Sequence, residues 1–261
     1  GFHIPLLKIF CAGEPDQTFF ELLRTQVRTP DQTEGDIHAQ ITANYLIEDR
    51  VLTMLGEYGL DDLVALSQDL NGRTEAAMRA ALREVPDGTY PYQILTDGLR
   101  AEGPFTFALS LTIKGDTAHF DFTGTSPQTP GNINIPLHGT KAAVCYVLKA
   151  MLDPEIPNNH GVLDAVEVTA PMGTMLSCVA PASVASRAHT SQRIIDVVIG
   201  AMAEPLPEAA VGAANGANSM AVFAGSDPET GEAYVYLETL GGGFGGRNDR
   251  DGKDGVQVHI T

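Results

Sequence analysis

From Phe105 to Phe122 the chain alternates with a period of two. Phe105, Phe107, Leu109, Leu111 and Ile113 are separated by Thr106, Ala108, Ser110 and Thr112; Lys114-Gly115-Asp116 follows, and then Ala118, Phe120 and Phe122 alternate again. On a strand this period sends every apolar side chain to one face, and a glycine-containing break between two such runs turns the chain back on itself. A β-hairpin with one buried face is predicted, and the rest of the chain must supply its cover.

Upstream the period is helical, so residues 1–88 read as a helical segment. EPDQTFFELLRTQV places Phe19, Leu22, Leu23 and Gln26 at helical spacing. A second helix follows Pro30 and Asp31, with Ile37, Ile41, Tyr45, Leu52 and Leu55 along one stripe and Gly59 as its stop. A third is expected from about Leu60 to Val85, through Leu63, Leu66, Leu70, Ala77, Met78, Ala81 and Leu82, and antiparallel packing of the two long helices follows from their short connection.

Residues 89–261 read as an α+β segment of antiparallel hairpins, a glycine-rich loop and packed helices. LHGTKAAVCYVLKAMLD has the apolar content of a mostly buried helix with Cys145 in the core, short strands are expected around Val162 to Val168 and Leu176 to Val179, and a helix from about Thr190 to Met202. NSMAVFAG and EAYVYLETL, joined by SDPETG, form a second hairpin. The class is α+β: N-terminal antiparallel helices, then hairpins in a mixed sheet with helices packed on it. The chain opens on Gly1 rather than methionine, and its closing GVQVHIT alternates like the middle of a strand, so a piece of a longer polypeptide is expected.

The glycine-rich loop raises the first functional question. In YVYLETLGGGFGGRNDRD, Gly241, Gly243 and Gly246 match the G-x-G-x-x-G spacing of a dinucleotide site. That site needs a helix starting at the third glycine and an acidic residue about 20 positions on. Polar Arg247 to Gly252 follow instead, and the sequence ends at Thr261. The dinucleotide reading fails. What remains is a backbone at Gly241, Gly242 and Gly243 that something can approach closely.

The second question is SRAHTSQRIIDVV, Ser186 to Val198. Thr190 or Ser191 can cap the helix carrying Ile194, Ile195, Val197 and Val198, which leaves free N–H groups beside Arg187, His189 and Arg193. A helix start flanked by guanidinium groups favours an anion. The bland alternative is ordinary surface charge pairing. Asn132 and Asn134 in PGNINIP could offer amide donors to a ligand or simply form an Asx-turn, and PNNHG around His160 reads as a turn. Asp36 and His38 are two apart on a helix and cannot share a metal ion there.

Charge excludes some partners. Sixteen Lys and Arg against 33 Asp and Glu give a formal charge of −17, which repels nucleic acid and anionic membranes. The absence of a long apolar run and the three separated cysteines point to a soluble protein of the cytoplasm.

The ordered run RTPDQTEGDIHAQITAN, MRAALREVPDGTY, DFTGTSPQTPGNINIPL, LDPEIPNNHGVLDAVEVTAP, SRAHTSQRIIDVVIGA and ETLGGGFGGRNDRDGKDGVQVHIT resembles the hydantoinase B/oxoprolinase family across nearly the whole chain. The resemblance implies a subunit or part of an ATP-dependent enzyme that opens cyclic amides such as 5-oxoproline, hydantoins and lactams. Relatives carboxylate acetone or acetophenone, and a scaffold segment without catalytic groups is a further alternative. A partner subunit or domain of the hydantoinase A type would bind ATP and activate the carbonyl oxygen, giving a hetero-oligomer. The family's divalent metal is implied to sit on His and acidic ligands upstream of Gly1. The implied hydrolysis needs fixed donors for a developing oxyanion, and for that role the residues themselves suggest Arg187, His189 and Arg193 as catalytic groups and Gly241, Gly242, Gly243, Asn132, Thr190 and Ser191 as substrate contacts, the helix start and the glycine-rich loop being expected to converge on one cleft.

Overall fold

The computed structural model describes residues 4–98, 103–216, 219–256 and 259. Of the closing alternation, residues 257, 258, 260 and 261 lie outside that range, and so does Asn218 at the start of the second expected hairpin. The chain divides into two compact units, Gly1–Leu66 and Ser67–Thr261. The antiparallel pairing expected of the two long helices is a relation across that division and stays an expectation.

In the first unit two short strands, β1 (Phe10–Cys11) and β2 (Glu14–Pro15), pair antiparallel and lead into α1 (Gln17–Gln26). Asp16 caps α1, its Oδ1 accepting the Phe19 N–H at 2.9 Å. The buried stripe of α1 is Phe19, Phe20 and Leu23, whereas Leu22, placed in the stripe by sequence, is half exposed. The reason is Phe20, which turns inward to stack on His38 with ring centroids 5.2 Å apart and planes 3° from parallel. His38 belongs to α2 (Pro30–Tyr58), which starts with Pro30 in its first turn and ends at Gly59 in the left-handed region, φ +63°. Helix α2 runs unbroken through Asp36 and His38, so the two point to different faces, and it buries none of its residues.

The second unit holds the main core. Helix α3 (Val64–Arg83) contributes Thr74, Met78 and Leu82, while Leu66 and Leu70 remain exposed. Four strands follow: β3 (Gly88–Thr96), β4 (Phe105–Lys114), β5 (Thr117–Asp121) and, later in the chain, β6 (Val166–Thr169). They form one sheet in the order β3-β4-β5-β6, antiparallel except that β6 runs parallel to β5. The predicted hairpin is β4–β5, with Leu111 opposite Phe120 and all five apolar residues of β4 buried. Fully burying Leu111 and Phe120 is worth about 2–3 kcal/mol each.

Helices α4 (Leu137–Met151) and α6 (Arg187–Met202) supply the cover, inserting Val144, Val147 and Leu148 from one and Ile194, Val197 and Val198 from the other into the same core. Between them lies the one-turn helix α5 (Gly161–Asp164), so Val162 sits in a helical turn rather than a strand. Leu176–Val179 is not a strand either. Its backbone is spent on loop contacts: Cys178 N–H donates to Ile135 O at 3.3 Å, and Val179 N–H to Gln128 Oε1 at 2.9 Å. The second hairpin is β7 (Ser219–Ser226) with β8 (Ala233–Leu240), closed by Asp227 Oδ1 accepting the N–H groups of Glu229 and Thr230. After it, β9 (Gly243–Phe244) pairs with β10 (Lys253–Asp254) around the polar Arg247–Arg250 turn. The mixed α+β architecture expected from the period change is the one found.

Candidate functional site

Helix α6 begins at Arg187, three residues before the predicted start, with Ser186 as its N-cap and no side-chain cap bond. Neither Thr190 nor Ser191 is a cap. Thr190 is buried, and its hydroxyl donates to the Ile133 carbonyl, tying the helix to the preceding loop. The shift has an angular consequence. At about 100° per residue, His189 and Arg193 share one face of α6, while Arg187 is roughly 200° from His189 and projects from the other side.

The three sequence candidates accordingly meet different surroundings. Arg187 is exposed, and Nη1 reaches back toward the Val184 carbonyl at 3.4 Å. His189 is half-buried, its N–H donating to Ser186 O at 3.1 Å. Arg193 is committed internally: Nη2 lies 2.5 Å from Asp196 Oδ2, with side-chain exposures of 21% and 5%. Burial pushes the Asp196 carboxyl up from its usual range, and Arg193 and the Ala214 N–H pull it back. His259 Nε2 stands 4.0 Å from Asp196 Oδ1, and its imidazole is pushed down by burial and by Arg193.

The PGNINIP loop abuts the start of α6 through backbone. Ser186 N–H donates to Asn132 O at 2.8 Å, leaving the Asn132 side chain exposed. Asn134 is a fully buried hub. Its Oδ1 accepts the Thr129 N–H at 2.8 Å, and its Nδ2 donates to the carbonyls of Thr129, Gly131 and Ser183 at 2.9–3.0 Å. Of the two asparagines only Asn132 has an amide facing outward.

The glycine-rich bend is approached closely, and by its own chain. A Cβ on Gly242 would fall 2.2 Å from the Asn215 side chain, one on Gly243 2.8 Å from the Lys253 carbonyl, and one on Gly245 2.2 Å from the Gly212 carbonyl. Backbone bonds fix the contact: Gly212 N–H donates to Gly246 O at 2.8 Å, and Asn215 N–H to Gly243 O at 3.1 Å. Gly241 remains exposed. The segment 211–216 is thus a strap between the bend and α6, its far end, Gly216, packed against the Arg193 guanidinium. Sequence reasoning could not see the strap because its signal is two more glycines in a loop of small residues.

Bend, strap and helix enclose a cavity of about 330 Å³. Asp196, Ile199 and Gly200 of α6, Gly212 of the strap, Gly246 and Asn248 of the bend, and Tyr92 of β3 line it. The bend therefore shares a hollow with α6, but with its middle, nine residues or about two and a half turns past Arg187. The hollow is mostly apolar, with one buried carboxylate, a surface that accepts a small, weakly polar molecule bearing a hydrogen-bond donor. Among the described residues no group of three or more His, Cys, Asp or Glu side chains could hold a metal ion.

An antiparallel sheet extended by a parallel strand, covered by α4 and α6 and joined to a strapped glycine bend, defines a fold seen in ATP-dependent amide-opening and carboxylating enzymes. The ATP-dependent caprolactamase from Pseudomonas jessenii superposes with a TM-score of 0.88 at 28% identity, over 98% of this chain and 45% of that one. Acetone carboxylase in its nucleotide-free form superposes at 0.79 with 16% identity, over 99% of this chain and 37% of that one, a likeness of fold alone. The sequence of 5-oxoprolinase 1 from Arabidopsis thaliana is 34% identical over 239 residues, covering 87% of this chain and 18% of that protein.

The hydantoinase B/oxoprolinase family model matches residues 1–261, and the chain belongs to that family. It spans less than half the length of these relatives. Among the described residues no helix is long and apolar enough to cross a membrane.

Proposed function

We propose that the chain is part of an ATP-dependent cyclic-amide hydrolase of the hydantoinase or 5-oxoprolinase type, working with an A-type subunit or domain that binds ATP and phosphorylates the ring amide oxygen. The observation that carries this reading is the likeness to caprolactamase over 98% of the chain at a TM-score of 0.88. The ketone-carboxylase alternative rests on a likeness of fold alone, because that identity is 16%.

Ring opening of an activated amide builds negative charge on oxygen, and fixed donors must meet it. In this proposal Arg187 is the group free to do so, since its side chain is exposed and touches one carbonyl at 3.4 Å. Asn132 and Ser191 lie beside it in the fold and sequence and would orient the substrate. Arg193, neutralised by Asp196, positions the strap and through it the glycine bend. Of the glycines, Gly241 is exposed and would be the one open to substrate, whereas Gly242 and Gly243 seat the bend against Asn215 and Lys253. Thr190 holds the Asn132 loop to the helix. The divalent metal and ATP belong in this proposal to parts of the enzyme outside this chain.

The test is reconstitution with an ATP-binding partner, followed by product identification after incubation with 5-oxoproline, hydantoin, caprolactam or acetone, each with ATP and bicarbonate. An opened ring amino acid from one of the cyclic amides is the expected product. A carboxylated ketone, or turnover unaffected when Arg187, His189 and Arg193 are all replaced, would transfer the function to the carboxylase or to the scaffold reading.

A further inference from the structure

The outer face of α4 carries chemistry that the cyclic-amide reading does not use. Its inner face, Thr140, Ala143, Val144, Val147 and Leu148, is buried in the core. Along the flank beside it His138, Lys141, Cys145 and Lys149 recur at spacings of three and four, the repeat that aligns side chains along one side of a helix. They form one wall of a cavity of about 810 Å³, closed across from them by Asn158 and His160 of the loop before α5.

The charge of this cavity runs against that of the chain. Two of the five lysines and two of the seven histidines line it, in a protein with a formal charge of −17, and no Asp or Glu is among the lining residues. Lys141 and Lys149 are half-buried, and among the described residues neither has a carboxylate within ion-pair distance or a hydrogen-bond acceptor. By contrast Arg24, Arg73, Arg79, Arg83, Arg193 and Arg250 all have carboxylate partners. His160 leans on Asp164, with Nε2 3.5 Å from Oδ1, at the cavity's edge. Two ammonium groups without a carboxylate partner among the described residues, on partly desolvated flexible stems rooted about 12 Å apart along the helix, focus positive potential into one hollow.

We infer that the cavity on the outer face of α4 is a binding site for a small organic or inorganic anion, held between Lys141 and Lys149 through carboxylate or phosphate oxygens. The ligand would be elongated or doubly charged, since the two lysines stand at opposite ends with Cys145 midway. This inference is independent of the cyclic-amide reading. Cys145 is also its built-in reporter, because a molecule spanning the lysines covers the thiol, whose Sγ lies 4.0 Å from Asn158 Oδ1.

The experiment is alkylation of the intact protein with iodoacetamide, a neutral reagent, followed by mass spectrometry of each cysteine peptide. Inorganic phosphate and glutarate are the two probes, compared with chloride at equal ionic strength. Phosphate or glutarate should slow modification of Cys145 at least about fivefold while exposed Cys11 reacts at an unchanged rate. Protection by phosphate alone assigns a phosphoryl ligand, and protection by glutarate alone a dicarboxylate. The double variant Lys141→Gln/Lys149→Gln should lose the protection, and Lys141→Arg/Lys149→Arg should keep it. Equal rates with phosphate, glutarate and chloride, or protection that survives the Gln substitutions, would overturn the inference.

Discussion

Arg193 Nη2 and Asp196 Oδ2 meet at 2.5 Å on the same side of α6, and the ion pair is roofed by Gly216, where any side chain would collide with the guanidinium. The pair joins the helix to the strap and the strap to the glycine bend. What looked in the sequence like one of three free cations is a structural clamp.

Removing half of the clamp should therefore cost more than removing all of it. Arg193→Met leaves a carboxylate of 5% exposure without its partner, and a loss of about 3 kcal/mol in urea unfolding is expected. Arg193→Met combined with Asp196→Leu should recover most of that loss. Additive losses in the double variant would mean that the two groups act separately.

The same carboxyl predicts a pH dependence. Asp196 is raised from 3.8 by burial, so over the interval above 3.8 the folded state binds more protons than the unfolded one, and stability falls as pH rises through its folded pKa. Asp121, lowered chiefly by the Thr123 hydroxyl, has the opposite sign: its contribution is present above 3.8 and is lost as pH falls through its folded pKa. His259, lowered mainly by burial, removes stability as pH falls below 6.5. Subtracting the unfolding free energy of Asp196→Asn from that of the parent isolates the first group. The difference should decline as pH rises above 3.8 and level off once the folded carboxyl has ionised; a flat or rising difference would contradict a raised carboxyl.

Gly245→Ala tests the strap. The new Cβ would stand 2.2 Å from the Gly212 carbonyl, a backbone atom held by the Gly212–Gly246 hydrogen bond. A destabilisation of about 1–3 kcal/mol is expected, with faster proteolysis in 211–216 than in the parent. Gly231→Ala is a control for space alone, because nothing lies within 4 Å of its added Cβ, although its φ of +74° carries its own backbone strain.

For the proposed reaction, Arg187→Ala in the assembled enzyme should lower kcat/KM about 100-fold if the guanidinium stabilises the transition state, while the thermal midpoint stays within about 2 °C because the side chain is exposed. An unchanged kcat/KM would take Arg187 out of the reaction.

Sequence alone determined the α+β class, the β4–β5 hairpin and the core face of α6, because a period of two or of 3.6 is a local property that chooses its own buried side. It also carried the family resemblance, which is a matter of ordered motifs. Tertiary structure decided the rest. Thr190 resembled a cap until Ile133, 57 positions away, took its hydroxyl. Leu22 resembled core until Phe20 found His38. Cys145 resembled core within an apolar helix, yet the helix turns that residue to the cavity side. The glycine bend announced a close approach but not the partner, since Gly212 lies more than 30 residues upstream and contact between two backbones leaves no side-chain pattern to read. Period and composition act over a few residues, whereas pairing of charges and closure of cavities depend on which distant segments the folded chain brings together.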